Sequence, residues 1–154
     1  MDLPQFSPEQ LEIIDIKLSS AEIKNLSQDF DEGTIKGYKV GNSMTLGFSF
    51  EDNLIRLEHL IDLETDSDNE QESTGKFCFT YVFRFDKLKE FAHPENETTL
   101  ILNDAFGFTL TSIVHATSRG ILLSRLQGTP FSNFLLPVAD PLKLLLEQSG
   151  NNKG

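Results

Sequence analysis

Polar and apolar positions alternate through much of the first half of the chain. Between Leu11 and Leu18 the side chains of Ile14, Ile16 and Leu18 fall on every second position, which predicts a first β-strand. The alternation shifts at Ser19-Ser20, where Ala21 and Ile23 take over the apolar positions, as a bulge or bend requires. Over 44–51 the pattern is strict, with Met44, Leu46, Phe48 and Phe50 on one face and Thr45, Gly47, Ser49 and Glu51 on the other. Asp52-Asn53 supplies a turn, after which Ile55, Leu57, His59, Ile61 and Leu63 alternate against Arg56, Glu58, Leu60, Asp62 and Glu64. Residues 66–75 carry no apolar side chain and are expected to form a mobile acidic loop. A fourth strand follows, with Phe77, Phe79, Tyr81, Phe83 and Phe85 opposed to Lys76, Cys78, Thr80, Val82, Arg84 and Asp86. Consecutive alternating strands with short links predict an antiparallel meander with one apolar and one polar face.

The period then changes. Asp86–Ala92 is a candidate helical turn ended by His93-Pro94, and Asn103 or Asp104 can cap a long helix reaching Leu126. Within that helix only Asp104, Arg119 and Arg125 are charged, which is too few for a surface helix. Phe106, Leu110, Ile113, Val114, Thr117 and Ile121 form one stripe, and Phe108, Thr111, Ser112, His115, Leu122 and Leu126 form an opposite one. A single sheet covers one side of such a helix, so a second cover is expected from another subunit, the termini or a bound client. Gly128-Thr129-Pro130 stops the helix, Phe131–Val138 is an apolar strip, and Asp140-Pro141 caps a final helix containing Leu142, Leu144, Leu145 and Leu146 before a frayed tail at 149–154. The expected fold is one α+β domain over 1–154. It has a four-stranded antiparallel meander sheet packed on one long C-terminal helix, followed by an apolar strip and a short final helix.

Charge and chemistry narrow the function. The net charge of −11 opposes binding to a phosphate backbone, so no nucleic-acid partner is expected. Residues 1–75 hold seventeen acidic and five basic side chains against seven and eight in residues 76–154, so the acidic excess lies in the first half. The start, Met1-Asp2-Leu3-Pro4-Gln5-Phe6, lacks a basic segment followed by an apolar one, and no later window is apolar enough for a membrane span, so a cytoplasmic protein is expected. The lone Cys78 excludes an internal disulfide, and His59, His93 and His115 have no metal-cage spacing. Asp66-Ser67-Asp68-Asn69-Glu70 begins like a calcium loop, but Gln71 stands where the glycine belongs and Phe77 where the bidentate glutamate belongs. The glycines form no phosphate loop, Glu58 and His59 point to opposite faces of a strand, and Cys78 has no histidine near it in sequence. No catalytic constellation and no cofactor are expected, and His115 reads as a hydrogen-bonded interior or interface histidine.

Ser118-Arg119-Gly120, followed by Gly128-Thr129-Pro130-Phe131-Ser132-Asn133-Phe134-Leu135-Leu136-Pro137-Val138, resembles the end of the long helix and the adjoining strip in SecB-type export chaperones. The likeness in element order spans about residues 11–148, and is greatest to divergent SecB-like relatives. This chain reads Pro130-Phe131 where the family has Phe-Pro, and Phe77-Cys78-Phe79-Thr80-Tyr81 lacks the acidic residue that members docking on the translocase motor present on their fourth strand.

The resemblance implies a homotetramer built as a dimer of dimers, which holds unfolded preproteins for export without nucleotide hydrolysis. Candidate client contacts are Phe79, Tyr81, Phe83, Phe131, Phe134 and Leu136, with Phe131 and Phe134 favoured because they lie on the strip outside the sheet. Glu58, Asp62 and Glu64 share one face of the third strand and either replace the missing acidic surface for the translocase motor or only solubilise the sheet. A client-specific SecB-like chaperone, as for an antitoxin, is one alternative. An oligomeric ligand-binding or scaffold protein with a small molecule beneath the sheet is another.

Overall fold

The computed structural model describes residues 5–24, 34–68, 71–97 and 100–145. Leu146 and the tail expected to fray at 149–154 lie outside them. A 3-10 turn at Pro8–Gln10 leads into β1 (Glu12–Lys24), β2 (Ile35–Ser49), β3 (Leu54–Ser67) and β4 (Thr74–Arg84). All three pairings are antiparallel and the order across the sheet is β1-β4-β3-β2. The expected meander is therefore β2-β3-β4, while β1 joins beside β4, which is Greek-key topology. Alternation dictates the faces. Ile55, Leu57, His59, Ile61 and Leu63 of β3 and Phe77, Phe79, Tyr81 and Phe83 of β4 are buried on the same side.

Strand limits depart from the sequence expectation in two places. β2 begins at Ile35 rather than near Met44, with Tyr38, Val40 and Asn42 opposite Thr65, Leu63 and Ile61. β3 runs on to Ser67, and the expected mobile acidic loop is in its described part a tied connection. There the Glu72 carboxylate accepts hydrogen bonds from Thr65 Oγ1 at 2.7 Å and from the Ser67 backbone at 3.0 Å. The register of β1 slips between Leu18 and Ser20, where the sequence shifts its apolar positions, and also between Ile13 and Asp15. The β2–β3 turn places Asn53 at φ 56°, in the left-handed region that asparagine tolerates.

After the sheet come α1 (Leu88–Phe91), a two-stranded hairpin of β5 (Ala92–Pro94) and β6 (Leu100–Leu102), and α2 (Asp104–Arg125). Asn103 is the N-cap of α2, its side chain accepting from Phe106 N–H at 3.1 Å. The helix buries Phe106, Gly107, Leu110, Thr111, Val114, His115, Ser118 and Leu122. Gly107 lets β6 and the C-terminal segment approach, since a Cβ there would sit 2.7 Å from Leu102 and 3.5 Å from Leu142. Gly128, at φ 79°, turns the chain back into the strip. Residues 141–145 form a final helix, α3, and Asp140 Oδ1 accepts from Leu142 N–H at 3.2 Å.

Candidate functional site

The strip crosses from α2 to β2 on the helix side of the sheet. Thr129 Oγ1 donates to the Leu126 carbonyl at 2.7 Å and accepts from Phe131 N–H at 3.1 Å, which sets the direction of the turn. Phe131 and Phe134 then pack on Tyr38 of β2, with ring centroids at 6.0 and 5.4 Å. Arg119 of α2 donates from Nε to the Leu136 carbonyl at 2.9 Å, fastening the strip's other side. From Phe134 to Pro137 burial alternates. Phe134 and Leu136 are buried, whereas Leu135 is 57% and Val138 88% exposed.

The six expected client contacts are thus in the core of the single chain. Phe79, Tyr81, Phe83 and Phe131 have no exposed area, and Phe134 and Leu136 have 4% and 2%. The three sheet residues lie under α2, where the Tyr81 and Ser118 hydroxyls are hydrogen-bonded at 2.7 Å. Phe131 belongs to the sheet's own packing as well: a Cβ on Gly75 would lie 2.9 Å from the Phe77 ring and 3.4 Å from the Phe131 ring. In the single chain the surface the strip offers is Leu135 and Val138, and the six residues form the floor on which it rests.

Glu58, Asp62 and Glu64 do share the outer face of β3, turned away from α2. One is ion-paired, and the other two have a lysine as register partner on the neighbouring strand. Arg56 Nη2 donates to Glu58 Oε1 at 2.9 Å, Asp62 stands opposite Lys76 of β4, and Glu64 stands opposite Lys39 of β2. The outer face of β3 and its neighbours therefore carries charges of both signs.

Beneath the sheet runs a buried polar chain that the sequence did not announce. His59 Nδ1 lies 2.8 Å from Ser118 Oγ, His59 Nε2 meets Asn42 Oδ1, and Tyr81 Oη reaches both Ser118 Oγ and, at 3.3 Å, the Val114 carbonyl. One assignment satisfies the donors: Tyr81 donates to Ser118, Ser118 to His59 Nδ1, and His59 Nε2–H to Asn42. The order hydroxyl, imidazole, amide is that of an activated nucleophile, but Ser118 has no exposed area and no substrate atom can reach it. The chain ties β2, β3 and β4 to α2. Burial, and secondarily the neighbouring His115, pushes the His59 pKa down to about 3. His115, with its ring centroid 5.9 Å from that of His59, is also lowered, first by burial and then by Arg119. It is interior as expected, but its Nε2 has no hydrogen-bond partner among the described residues.

Considerable apolar surface remains open. On the outward side of α2, Phe108 is 52% and Leu123 47% exposed, and Ala116, Thr117, Gly120, Ile121, Ser124 and Arg125 line a shallow concavity. On β1, an edge of the sheet, Ile13, Ile14 and Ile16 are exposed. An open strand edge bearing isoleucines on both faces invites further pairing. Among the described residues no group of His, Cys, Asp and Glu is placed to hold a metal, and no helix is long and apolar enough to cross a membrane.

No protein-family model matches the chain, and no curated protein matches it in sequence. In fold it is similar to the SecB-like chaperone of Mycobacterium tuberculosis, solved in complex with a ChAD peptide from an antitoxin. The TM-score is 0.55 at 14% identity, over 85% of this chain and 91% of that one.

Proposed function

We propose that this chain is a nucleotide-independent chaperone that binds non-native polypeptide as an oligomer. The observation that carries the reading is the apolar surface left to water: the outward side of α2, the isoleucine-bearing edge of β1, and Leu135 and Val138 of the strip. Flat, neutral, apolar surface recognises many sequences through burial alone, which suits a protein that holds unfolded chains. The fold likeness to a chaperone solved with a peptide supports the same reading.

Within it, a second copy covers α2 or β1 and the client lies along the strip, meeting Leu135 and Val138 first. Phe131, Phe134 and Leu136 become available only if the strip lifts, and Phe79, Tyr81 and Phe83 only if α2 also parts from the sheet. A dimer of dimers in the cytoplasm remains the assembly proposed. Preproteins for export and a dedicated client such as an antitoxin are both compatible client classes, and the similar chaperone was solved with an antitoxin peptide.

The test is aggregation of a reduced, unfolded model protein, followed with and without this chain in the absence of ATP. Suppression near one oligomer per client chain supports the proposal. Undiminished aggregation, together with thermal stabilisation by a specific small ligand, would replace it with the ligand-binding reading.

A further inference from the structure

Phe6 precedes β1 in a stretch whose described backbone bonds close only its own turn. Gln10 N–H donates to the Ser7 carbonyl and Leu11 N–H to the Pro8 carbonyl, both at 3.1 Å. The 3-10 turn buries no residue, and Ser7 caps it with no side-chain bond. The contacts that seat this stretch on the core are those of Phe6 and Leu11. The Phe6 ring stands edge-on to Phe85, Phe91 and Phe106, with centroids at 5.5, 5.7 and 5.4 Å and interplanar angles of 76°, 68° and 68°. Those rings come from the residue after β4, from α1 and from the first turn of α2, and each is at most 3% exposed. Phe85 and Phe106 stack on one another at 5.1 Å, and Phe85 and Phe91 meet edge-on at 5.4 Å, so the notch is shaped by its own walls. Phe6 itself is only half-buried.

The notch therefore holds a phenylalanine carried on a segment without sheet pairing, and an unfolded chain presents the same group in the same way. We propose that Phe6 is a displaceable internal occupant of a site for a phenylalanine side chain of a bound unfolded polypeptide. The inference rests on the chaperone reading and adds a site and a control to it. Edge-to-face packing depends on ring quadrupoles and not on the identity of the chain, so a client phenylalanine finds the geometry that Phe6 has. Phe6 is tethered and competes at high effective concentration, so a client displaces it only when further contacts help. A notch vacant about a tenth of the time weakens client binding about tenfold relative to one always vacant.

The experiment uses the full chain and two labelled, unstructured Gly-Ser peptides, one carrying a single phenylalanine and the other alanine in its place. Phe6→Ala is expected to bind the phenylalanine peptide about tenfold more tightly than the parent and to leave the alanine peptide unaffected. A variant that melts lower and binds no more tightly would show Phe6 to be a structural ring and overturn the proposal. Should Phe6→Ala fail to fold, 4-fluorophenylalanine at position 6 of the otherwise unchanged chain decides. Its fluorine resonance is expected to move to the solvent-exposed position when the phenylalanine peptide is added, and a resonance that stays put rejects displacement. Loss of all holding of unfolded model protein by the parent chain would remove the chaperone reading itself. Intact holding without displacement would remove only the role of Phe6.

Discussion

The imidazole Nδ1 of His59 on β3 lies 2.8 Å from the hydroxyl of Ser118 on α2, and this buried contact joins the sheet to the helix that covers it. Tyr81 on β4 bonds the same hydroxyl at 2.7 Å, and Asn42 on β2 takes the other imidazole nitrogen, so one serine and one histidine reach three strands. The apolar surfaces around them could slide; directed hydrogen bonds set one register of helix on sheet.

Acidification should loosen this union. Burial lowers the His59 pKa from 6.5 in the unfolded chain to about 3, so the unfolded state binds the extra proton first. The stability that neutral His59 confers is complete above pH 6.5 and is lost as pH falls from there toward 3. The expected loss is about 2 kcal/mol by pH 5, at roughly 1.4 kcal/mol per unit. His115 is lowered too and adds in the same direction. Urea unfolding at pH 7.5, 6 and 5 checks this, before most carboxylates titrate. A flat response over that range would mean that the imidazoles protonate without strain.

Removing the shared hydroxyl tests the network at neutral pH. Ser118→Ala leaves His59 Nδ1 without its partner, while the Tyr81 hydroxyl can give its proton to the Val114 carbonyl, 3.3 Å away. The expected cost is about 1–3 kcal/mol, the usual penalty for orphaning one buried polar group, read as a lower urea midpoint with an unchanged slope.

The strip separates two kinds of apolar residue. Phe131→Ser and Phe134→Ser remove rings that are 0% and 4% exposed and packed on Tyr38, so each is expected to cost about 3–5 kcal/mol of stability. Leu135→Ser and Val138→Ser touch exposed side chains and should leave the melting temperature within a few degrees. The second pair, and not the first, is expected to weaken the holding of an unfolded client several-fold with the fold intact. Client titrations beside thermal melts distinguish the cases.

The two central strands were legible because period-two burial leaves a direct trace. Every position of β3 and β4 expected to face inward does so, from Ile55 to Leu63 and from Phe77 to Phe83, as does Phe85 just beyond β4. The first part of β2 was not legible, because Lys36, Gly37, Lys39 and Gly41 sit on an edge strand where no apolar alternation is needed. On α2 two apolar stripes were expected, but the buried face lies between them, along Phe106, Leu110, Val114, Ser118 and Leu122 with Gly107, Thr111 and His115 beside it. Small and polar residues are buried there for close approach and hydrogen bonding, which hydropathy does not report. Aromatic alternation located the core of the sheet but not the exposed surface beside it. The histidine network was hidden because Asn42, His59, Tyr81 and Ser118 are far apart in sequence and meet only through the strand register.

The outward side of α2 gives the last test. Ala116 is exposed between Phe108 and Leu123 along α2, and it borders the concavity formed with Thr117, Gly120, Ile121, Ser124 and Arg125. Within a single chain Ala116→Arg puts a charge into water on a residue type that suits helices, so folding stability should change by about 0.5 kcal/mol or less. Against a second copy the same guanidinium would be buried without a partner, a change that costs several kcal/mol and disfavours association. Light scattering should therefore show the parent as an oligomer and Ala116→Arg at a lower mass, with circular dichroism and thermal unfolding of the dissociated chain retaining the α+β signature. An unchanged oligomer mass for Ala116→Arg would place the subunit contact elsewhere, and the isoleucine-bearing edge of β1 would then be the surface to probe, with Ile14→Lys as the corresponding substitution.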